Sequence, residues 1–152
     1  MTETEAYNKL TAYCAQAEHC RAEVAEKLQR WGIAYEAIDR ITDRLTQEGY
    51  IDEERYCRAF VRDKYRLDKW GRAKIIQALQ LKKMAPTFYL PILNEVINRE
   101  EYIAILRGLL SSKRKSVHAE DEAQLREKLI RFALSRGFEM RDIIDCLKGN
   151  GE

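Results

Sequence analysis

Four cysteines and two histidines are the residues of this 152-residue chain that could bind a transition metal or act as nucleophiles. The cysteines form no C-x-x-C pair, and only Cys14, His19 and Cys20 lie close together in the sequence. A closed structural zinc site takes four ligands at recurrent spacings. We therefore predict no metal site and no cofactor. We interpret Cys57 and Cys146 as small core residues, and the other two cysteines as residues near a helix junction.

Motifs for covalent or phosphate chemistry are also missing from the sequence. There is no G-x-S-x-G elbow, no Walker loop, no G-x-G-x-x-G and no H-E-x-x-H. Asp and Glu are abundant, but they stand among Lys and Arg at helical spacing, a pattern typical of solvated helix faces. We predict that the chain is not an enzyme.

Basic residues are concentrated in two segments. Residues 62–83 hold eight Lys and Arg against two Asp, and residues 113–115 are all basic, whereas residues 36–54 hold seven Asp and Glu. The net charge is only +2, yet this segregation suits a protein partner with nucleic acid nearby better than naked duplex DNA. The residues that we predict to bind the partner are Arg62, Lys64, Arg66, Lys69, Arg72, Lys74, Lys113, Arg114 and Lys115.

The spacing of the first basic segment predicts a common face. Arg62, Arg66 and Lys69 recur at steps of four and three, so a single helix would place them together, and Lys74 would extend the face from the next helix. The alternative is that these charges are merely solvated.

Two aromatic residues, Tyr65 and Trp70, stand among these basic residues. They either stack on an exposed base or pack in the core, and for Trp70 we expect the core.

Helical periodicity runs through nearly the whole sequence. Glycine and proline are scarce, at 7 and 2 residues, which argues against a β-sandwich or barrel. No stretch approaches 18 uncharged apolar residues and the N-terminus is polar, so we predict a soluble, cytoplasmic, all-helical protein without a membrane span or signal peptide. The nine predicted helices are 5–17, 21–31, 35–48, 52 to about 70, 72–83, 86–98, 101–110, 122–135 and 139–148. Asp52 should cap the fourth, and Pro91 should kink or shorten the sixth.

An internal repeat organises these helices. The apolar pattern of residues 24–41 returns 51 and 105 residues later, with a two-residue turn at Gly32-Ile33, Lys83-Met84 and Gly137-Phe138. Any two amphipathic helices joined by a short turn can be aligned in this way, but the threefold recurrence of the turn favours a true repeat. We predict three three-helix modules, 5–50, 51–98 and 99–148.

Three-helix modules with a tight turn resemble helix-turn-helix DNA readers. Direct readout needs several Arg, Asn or Gln side chains on a recognition helix. The third helix of the first module carries three Asp or Glu before Leu45, and that of the last has only Arg141 as an early base. A helix-turn-helix DNA-binding protein and an all-helical interaction adaptor are therefore the alternatives to the leading interpretation.

That leading interpretation comes from the segment Gly49–Val61, which reads GYIDEERYCRAFV and resembles the RecX family of recombination regulators. Arg21-Ala22-Glu23, Gly71 and the closing RGF at residues 136–138 support the resemblance. The resemblance implies an elongated, curved array of three-helix modules that is not an enzyme. It also implies binding to the RecA recombinase and its filament on single-stranded DNA, which blocks filament growth, ATP hydrolysis, strand exchange and co-protease activity. The basic residues named above would then contact RecA, with weak direct DNA contact, and we expect a monomer.

Overall fold

The computed structural model describes residues 1–150, and this range is entirely helical apart from its connections. The all-α prediction is therefore confirmed, and no helix in the described part of the chain is long and apolar enough to cross a membrane. The helices within residues 1–150 are α1 Glu3–Gln16, α2 Arg21–Arg30, α3 Tyr35–Gln47, α4 Glu53–Arg66, α5 Arg72–Leu81, α6 Pro86–Val96, α7 Arg99–Ser116, α8 Glu122–Ser135 and α9 Met140–Asn150.

Polar side chains set the start of several helices by accepting a hydrogen bond from an otherwise unpaired backbone N–H. The carboxylate of Asp52 accepts from the N–H of Arg55 at 2.9 Å, as predicted for the start of α4. Asn98 and Asp121 cap α7 and α8 in the same way. Pro86 occupies the first turn of α6, where its missing N–H removes no helical bond.

Most helix ends lie within two residues of the sequence prediction, but two differ by about a turn or more. Helix α4 ends at Arg66, about one turn early, and Lys69 takes a left-handed backbone conformation with φ +58°. Helix α7 continues to Ser116 rather than ending at Leu110, so the second basic cluster lies on a helix. Helix α6 continues through Pro91 and ends at Val96.

The predicted repeat turn has the same backbone geometry in all three places. The first turn residue is left-handed each time, with φ +75°, +63° and +97°, at Gly32, Lys83 and Gly137. The N–H of the next residue bonds the carbonyl five residues earlier, which is the Schellman arrangement. These bonds are Ile33 to Leu28 at 3.1 Å, Met84 to Leu79 at 3.2 Å and Phe138 to Ala133 at 3.2 Å. Lys83 thus occupies a position that glycine occupies in the other two copies.

The chain divides into two compact units, Met1–Ala59 and Phe60–Glu152, and the division falls inside α4. In unit 1, helices α1, α2 and α3 pack around apolar side chains that are fully or nearly fully buried. These side chains include Ala6, Leu10, Val24, Leu28, Ile41, Leu45 and Ile51.

Unit 2 has its own core. Helices α7, α8 and α9 pack on one another, and α5 packs on α6. Leu79 on α5 is fully buried, like Leu28 in unit 1, so the two repeat positions have the same role. The rings of Tyr102 and Phe138 lie 5.1 Å apart within this core.

A close backbone contact joins the start of α5 to the turn between α8 and α9 in unit 2. Gly71 donates its N–H to the carbonyl of Arg136 at 2.8 Å, and Ala73 donates to Gly137 at 3.0 Å. A Cβ atom on Gly71 would lie 2.2 Å from the carbonyl carbon of Gly137. Only glycine fits at this position. The contact holds the start of α5, which carries Arg72 and Lys74, against the α8–α9 turn.

Candidate functional site

The nine basic residues predicted from the sequence all lie in unit 2. Unit 1 carries 8 Lys and Arg against 12 Asp and Glu, and unit 2 carries 19 against 13. The charge segregation seen along the sequence is therefore a difference between two compact bodies, one acidic and one basic. A basic body of this kind attracts anionic surfaces.

Helix α4 presents two of the predicted residues to solvent, Arg62 and Arg66. Arg62 has a loose ion pair with Asp63 at 3.8 Å. Arg66 is bound more closely, because its Nε donates to the Glu101 carboxylate at 2.8 Å. The hydrogen bonds from Tyr65 and Arg66 lower the pKa of Glu101 below its usual range, so part of the positive charge of Arg66 is already compensated.

The prediction that Lys69 shares a helical face with Arg62 and Arg66 is wrong. Helix α4 ends at Arg66, and the chain turns at Leu67, so Lys69 projects from the α4–α5 connection. No carboxylate within residues 1–150 pairs with Lys69, whose side chain is exposed.

Aromatic rings and ammonium groups alternate across α4, the α4–α5 connection and α5. The ammonium of Lys64 lies 5.4 Å from the ring centre of Phe60 and 4.6 Å from that of Trp70. Lys74 lies 4.6 Å from the Trp70 ring, and Lys82 lies 5.7 Å from the Phe60 ring. We name these five residues the aromatic ladder. Its ammonium groups are held in place by cation–π attraction, and that of Lys64 also forms an ion pair with Asp68 at 2.9 Å.

The two aromatic residues of the first basic segment lie in different environments. Tyr65 is fully buried and donates its hydroxyl to Glu101 at 2.5 Å, so it packs in the core and is not open to a base. Trp70 is half-buried, between the expected core position and the exposed one.

Sequence reasoning missed two members of the aromatic ladder. These are Phe60 and Lys82, neither of which is among the nine predicted contact residues. The i, i+4 spacing of Phe60 and Lys64 on α4 was a usable signal, since residues four apart on a helix are neighbours.

Arg72 and Lys74 stand on the first turn of α5. The backbone N–H of Arg72 donates to the Tyr102 hydroxyl at 2.8 Å, and its guanidinium donates to the Asn94 side chain at 3.1 Å. A Cβ atom on Gly137 would lie 2.5 Å from the Cβ of Lys74. The close glycine contact therefore also positions Lys74.

The second basic cluster lies on the last turn of α7, where cations are favoured by the helix dipole. The ammonium of Lys113 lies 5.0 Å from the Phe132 ring, and the Arg136 guanidinium lies 5.5 Å from the same ring. Arg136 also donates to the Asp68 carbonyl at 3.4 Å. This chain of contacts links Lys113 to the α4–α5 connection, and Arg136 is a basic residue of the site that the sequence did not indicate. Arg114 and Lys115 are exposed.

The cysteines lie in packed positions, as the sequence suggested. All four are free thiols and buried, with Cys20 directly before α2. Burial raises the pKa of Cys57 to about 11. Within the described residues there is no cluster of three or more His, Cys, Asp or Glu side chains that could hold a metal ion.

Family comparisons match the chain three times over. The models of the first, second and third three-helix domains of RecX match residues 6–45, 52–87 and 100–147. The tandem arrangement of three-helix modules inferred from the repeat is thereby confirmed.

Curated relatives extend the match over most of the chain. The regulatory protein RecX of Pseudomonas fluorescens (strain SBW25) is 33% identical over 137 residues, which cover 89% of this chain and 84% of that protein. The regulatory protein RecX of Pelodictyon phaeoclathratiforme is 28% identical over 130 residues, covering 86% and 79%.

Two solved structures have the same fold. A crystal structure of regulatory protein RecX matches with a TM-score of 0.83 at 18% identity, over 92% of this chain and 68% of that one. RecX from Lactobacillus salivarius matches with a TM-score of 0.78 at 19% identity, over 97% and 95%.

Proposed function

This chain belongs to the RecX family of regulatory proteins, and on that premise we propose that it binds the RecA recombinase. The preferred target is the RecA filament on single-stranded DNA. Binding blocks filament growth and thereby lowers ATP hydrolysis, strand exchange and co-protease activity. The chain acts by binding alone, without catalysis and without a cofactor, as a cytoplasmic monomer of three modules at residues 5–50, 51–98 and 99–148.

The observation that carries the proposal beyond the family is the charge of unit 2. Its excess of 19 Lys and Arg over 13 Asp and Glu supports contact with an anionic surface. A nucleoprotein filament offers such surfaces in its phosphates and in acidic protein patches. The contact residues that we propose are Arg62, Lys64, Arg66, Lys69, Arg72, Lys74, Lys113, Arg114 and Lys115.

These residues would not contribute equally. Lys69, Arg114 and Lys115 are exposed and free to reach a partner. Arg66 must share its charge with Glu101. Lys64 shares its charge with Asp68, but it is held beside aromatic rings and so loses less side-chain freedom when it binds.

Weak direct contact with single-stranded DNA is a second element of the proposal, and the aromatic ladder supports it. A half-buried tryptophan flanked by two ammonium groups offers a surface for base stacking beside phosphate contacts. That combination is what sequence-independent single-strand binding uses.

The test is to mix the chain with RecA, single-stranded DNA and ATP and to follow ATP hydrolysis. We expect inhibition that deepens with the chain's concentration, and no ATP hydrolysis by the chain alone. A helix-turn-helix DNA reader would instead bind a particular duplex sequence and leave RecA on excess single-stranded DNA unaffected. An adaptor for another protein would neither inhibit ATP hydrolysis by RecA nor bind a particular duplex sequence. Unchanged RecA activity at a several-fold molar excess of the chain would overturn the proposal.

A further inference from the structure

The first residue of α2, Arg21, has a guanidinium whose two terminal nitrogens both donate to acceptors on α3. Its guanidinium donates to the Asp43 carboxylate at 2.6 Å and to the Thr46 hydroxyl at 2.8 Å. It also donates to the Thr42 hydroxyl at 3.3 Å and to the carbonyl of the same residue at 3.4 Å. The positive charge at the start of α2 is therefore neutralised within unit 1.

The equivalent residue in the next repeat, 51 positions later, is Arg72 at the start of α5. The Arg72 guanidinium has almost none of the hydrogen-bond acceptors that surround the Arg21 guanidinium. The positions of Thr42, Asp43 and Thr46 are occupied in the repeat by Leu93, Asn94 and Ile97.

One hydrogen bond remains to the guanidinium, from Nη1 to the Asn94 side-chain oxygen at 3.1 Å. No carboxylate within residues 1–150 forms an ion pair with Arg72. The same repeat position thus carries an arginine that is ion-paired in unit 1 and one that has no directly bonded carboxylate in unit 2.

A cavity of about 310 Å³ lies beside Arg72. Its walls include Arg72, Leu93, Asn94 and Ile97. Leu93 and Ile97, which stand where Thr42 and Thr46 stand in unit 1, offer no acceptor to Arg72 and make part of the cavity wall apolar. A guanidinium with unused donors next to the half-buried aliphatic side chain of Ile97 is suited to a ligand that is both anionic and apolar.

The remaining walls of the cavity limit the charge of that ligand. Arg99 donates from both terminal nitrogens, Nη1 and Nη2, to the buried carboxylate of Asp142. Glu139 accepts a hydrogen bond from the Tyr102 hydroxyl at 2.7 Å and contributes a negative charge to the wall. A dianionic phosphate or a polyphosphate would be repelled by Glu139, whereas a single carboxylate fits the planar fork of Arg72.

We propose that this cavity binds a glutamate side chain and a neighbouring aliphatic side chain of a partner protein. The carboxylate accepts from the unused guanidinium donors of Arg72 and from the side-chain amide of Asn94, while the aliphatic group packs on the half-buried Ile97. The inference deepens the proposed function by giving the chemistry of a partner segment. The binding chemistry itself does not depend on which protein carries that segment.

The probe for a direct test is the blocked dipeptide acetyl-Glu-Leu-amide, titrated into the isotope-labelled full chain and followed by NMR. We expect saturable shifts of the Arg72 Nε–H, the Asn94 side-chain amide and the Leu93 and Ile97 methyl groups. Acetyl-Gln-Leu-amide should bind roughly tenfold more weakly, because a charge-assisted hydrogen bond is about twice as strong as a neutral one. Absence of saturable shifts at these four residues would overturn the proposal.

The decisive variant is Asn94→Asp, which supplies Arg72 with the carboxylate that Arg21 already has. We expect it to weaken probe binding by about tenfold or more without lowering the midpoint of unfolding. Arg72→Lys keeps the charge and loses the fork, so it should also weaken binding, and it decides the matter if Asn94→Asp fails to fold. The matched control Asp43→Asn changes the same repeat position in unit 1 and should leave probe binding unchanged.

Two further outcomes would contradict the proposal. One is probe binding that Asn94→Asp and Arg72→Lys leave intact. The other is a stronger effect of inorganic phosphate or of the dinucleotide dTpT on the same four signals, which would make the cavity a phosphate site. The titration uses no recombinase, so its failure is distinguishable from failure of RecA inhibition.

Discussion

At the scale of single residues, Lys83 is the turn position at which one copy of the repeat differs from the other two, which have glycine there. It takes the left-handed conformation, φ +63°, that glycines take at the equivalent turns. Such a conformation is strained for a residue with a Cβ atom. The repeat was predictable because the apolar positions on both sides of the turn agree between the three copies. The left-handed backbone of Lys83 was not, since lysine rarely takes this conformation.

We predict that Lys83→Gly stabilises the protein by a few tenths to about 1 kcal/mol, because it removes the left-handed strain at a small entropic cost in the unfolded chain. The measurement is the free energy of unfolding in urea. Lys83→Ala serves as control, since it removes the long side chain but keeps the strain, and it should give no gain. A destabilised Lys83→Gly variant would contradict the account of this turn.

Cys57 is the cysteine for which burial has the clearest chemical consequence. Its pKa is raised to about 11 because the thiolate is desolvated, so the thiol is almost entirely protonated at pH 8. Since the thiolate is the reactive species, we predict negligible alkylation of Cys57 by iodoacetamide at pH 8 in the native protein. All four cysteines should react in urea. Mass spectrometry of the peptides checks this, and rapid native labelling of Cys57 would contradict its buried position.

At the scale of helices, apolar periodicity predicted the existence of every described element, but it did not fix two of the ends. Helix α4 stops early because the chain turns after Arg66, and no glycine or proline announces the turn. The polar segment 111–116 suggested a connection, yet it is the solvated end of α7. Its basic residues are favourable near a helix C-terminus. Polar residues alone did not distinguish an exposed helix from a loop.

The glycine contact between α5 and the α8–α9 turn gives the sharpest prediction at this scale. Gly71→Ala should destabilise the protein by about 2–4 kcal/mol, because its Cβ would overlap rigid backbone and force the helices apart. The backbone of Gly71 is otherwise suitable for alanine, with φ −81°. Gly108→Ala is the control, since nothing lies within 4 Å of its added Cβ. That substitution, inside α7, should stabilise by up to about 1 kcal/mol.

Urea unfolding of both variants checks this prediction. A Gly71→Ala variant as stable as the parent would mean that the two backbones are not in contact.

The repeat itself predicts matched losses in the two units. Leu28 and Leu79 are equivalent by the 51-residue offset, and both are fully buried. Replacing either by alanine should cost about 2–5 kcal/mol, the usual range for a large cavity-forming substitution. Circular dichroism during urea unfolding gives the measurement. A loss below about 1 kcal/mol at either position would show that the residue is not in the core.

At the scale of the whole molecule, the net charge of +2 hides an acidic unit 1 and a basic unit 2. The numbers of Lys, Arg, Asp and Glu in successive segments of the sequence already indicated this segregation, and the nine proposed contact residues all lie in unit 2. They did not reveal the aromatic ladder or the cavity beside Arg72, because both depend on which residues of different helices meet. The cavity could have been suspected by comparing Thr42, Asp43 and Thr46 with their repeat equivalents.

The central claim is that the basic surface of unit 2 inhibits the RecA filament by electrostatic attraction. Exposed charges each contribute about 0–1 kcal/mol, so a single substitution should have little effect. We predict that replacing Arg66, Lys69, Arg72 and Lys74 together by alanine raises the concentration needed for half-inhibition about tenfold or more while preserving helicity. Inhibition by the parent should also weaken as salt rises.

The most direct measurement is therefore RecA ATPase on single-stranded DNA at one salt concentration, titrated with the parent, the quadruple variant and a charge-matched control. The control replaces four exposed bases of unit 2 outside the proposed surface, Arg126, Arg131, Arg141 and Lys148, by alanine. We predict that the control inhibits like the parent and that the quadruple variant does not. If the quadruple variant inhibits at the same concentration as the parent, or if both variants lose inhibition equally, the basic surface is not the site of filament contact.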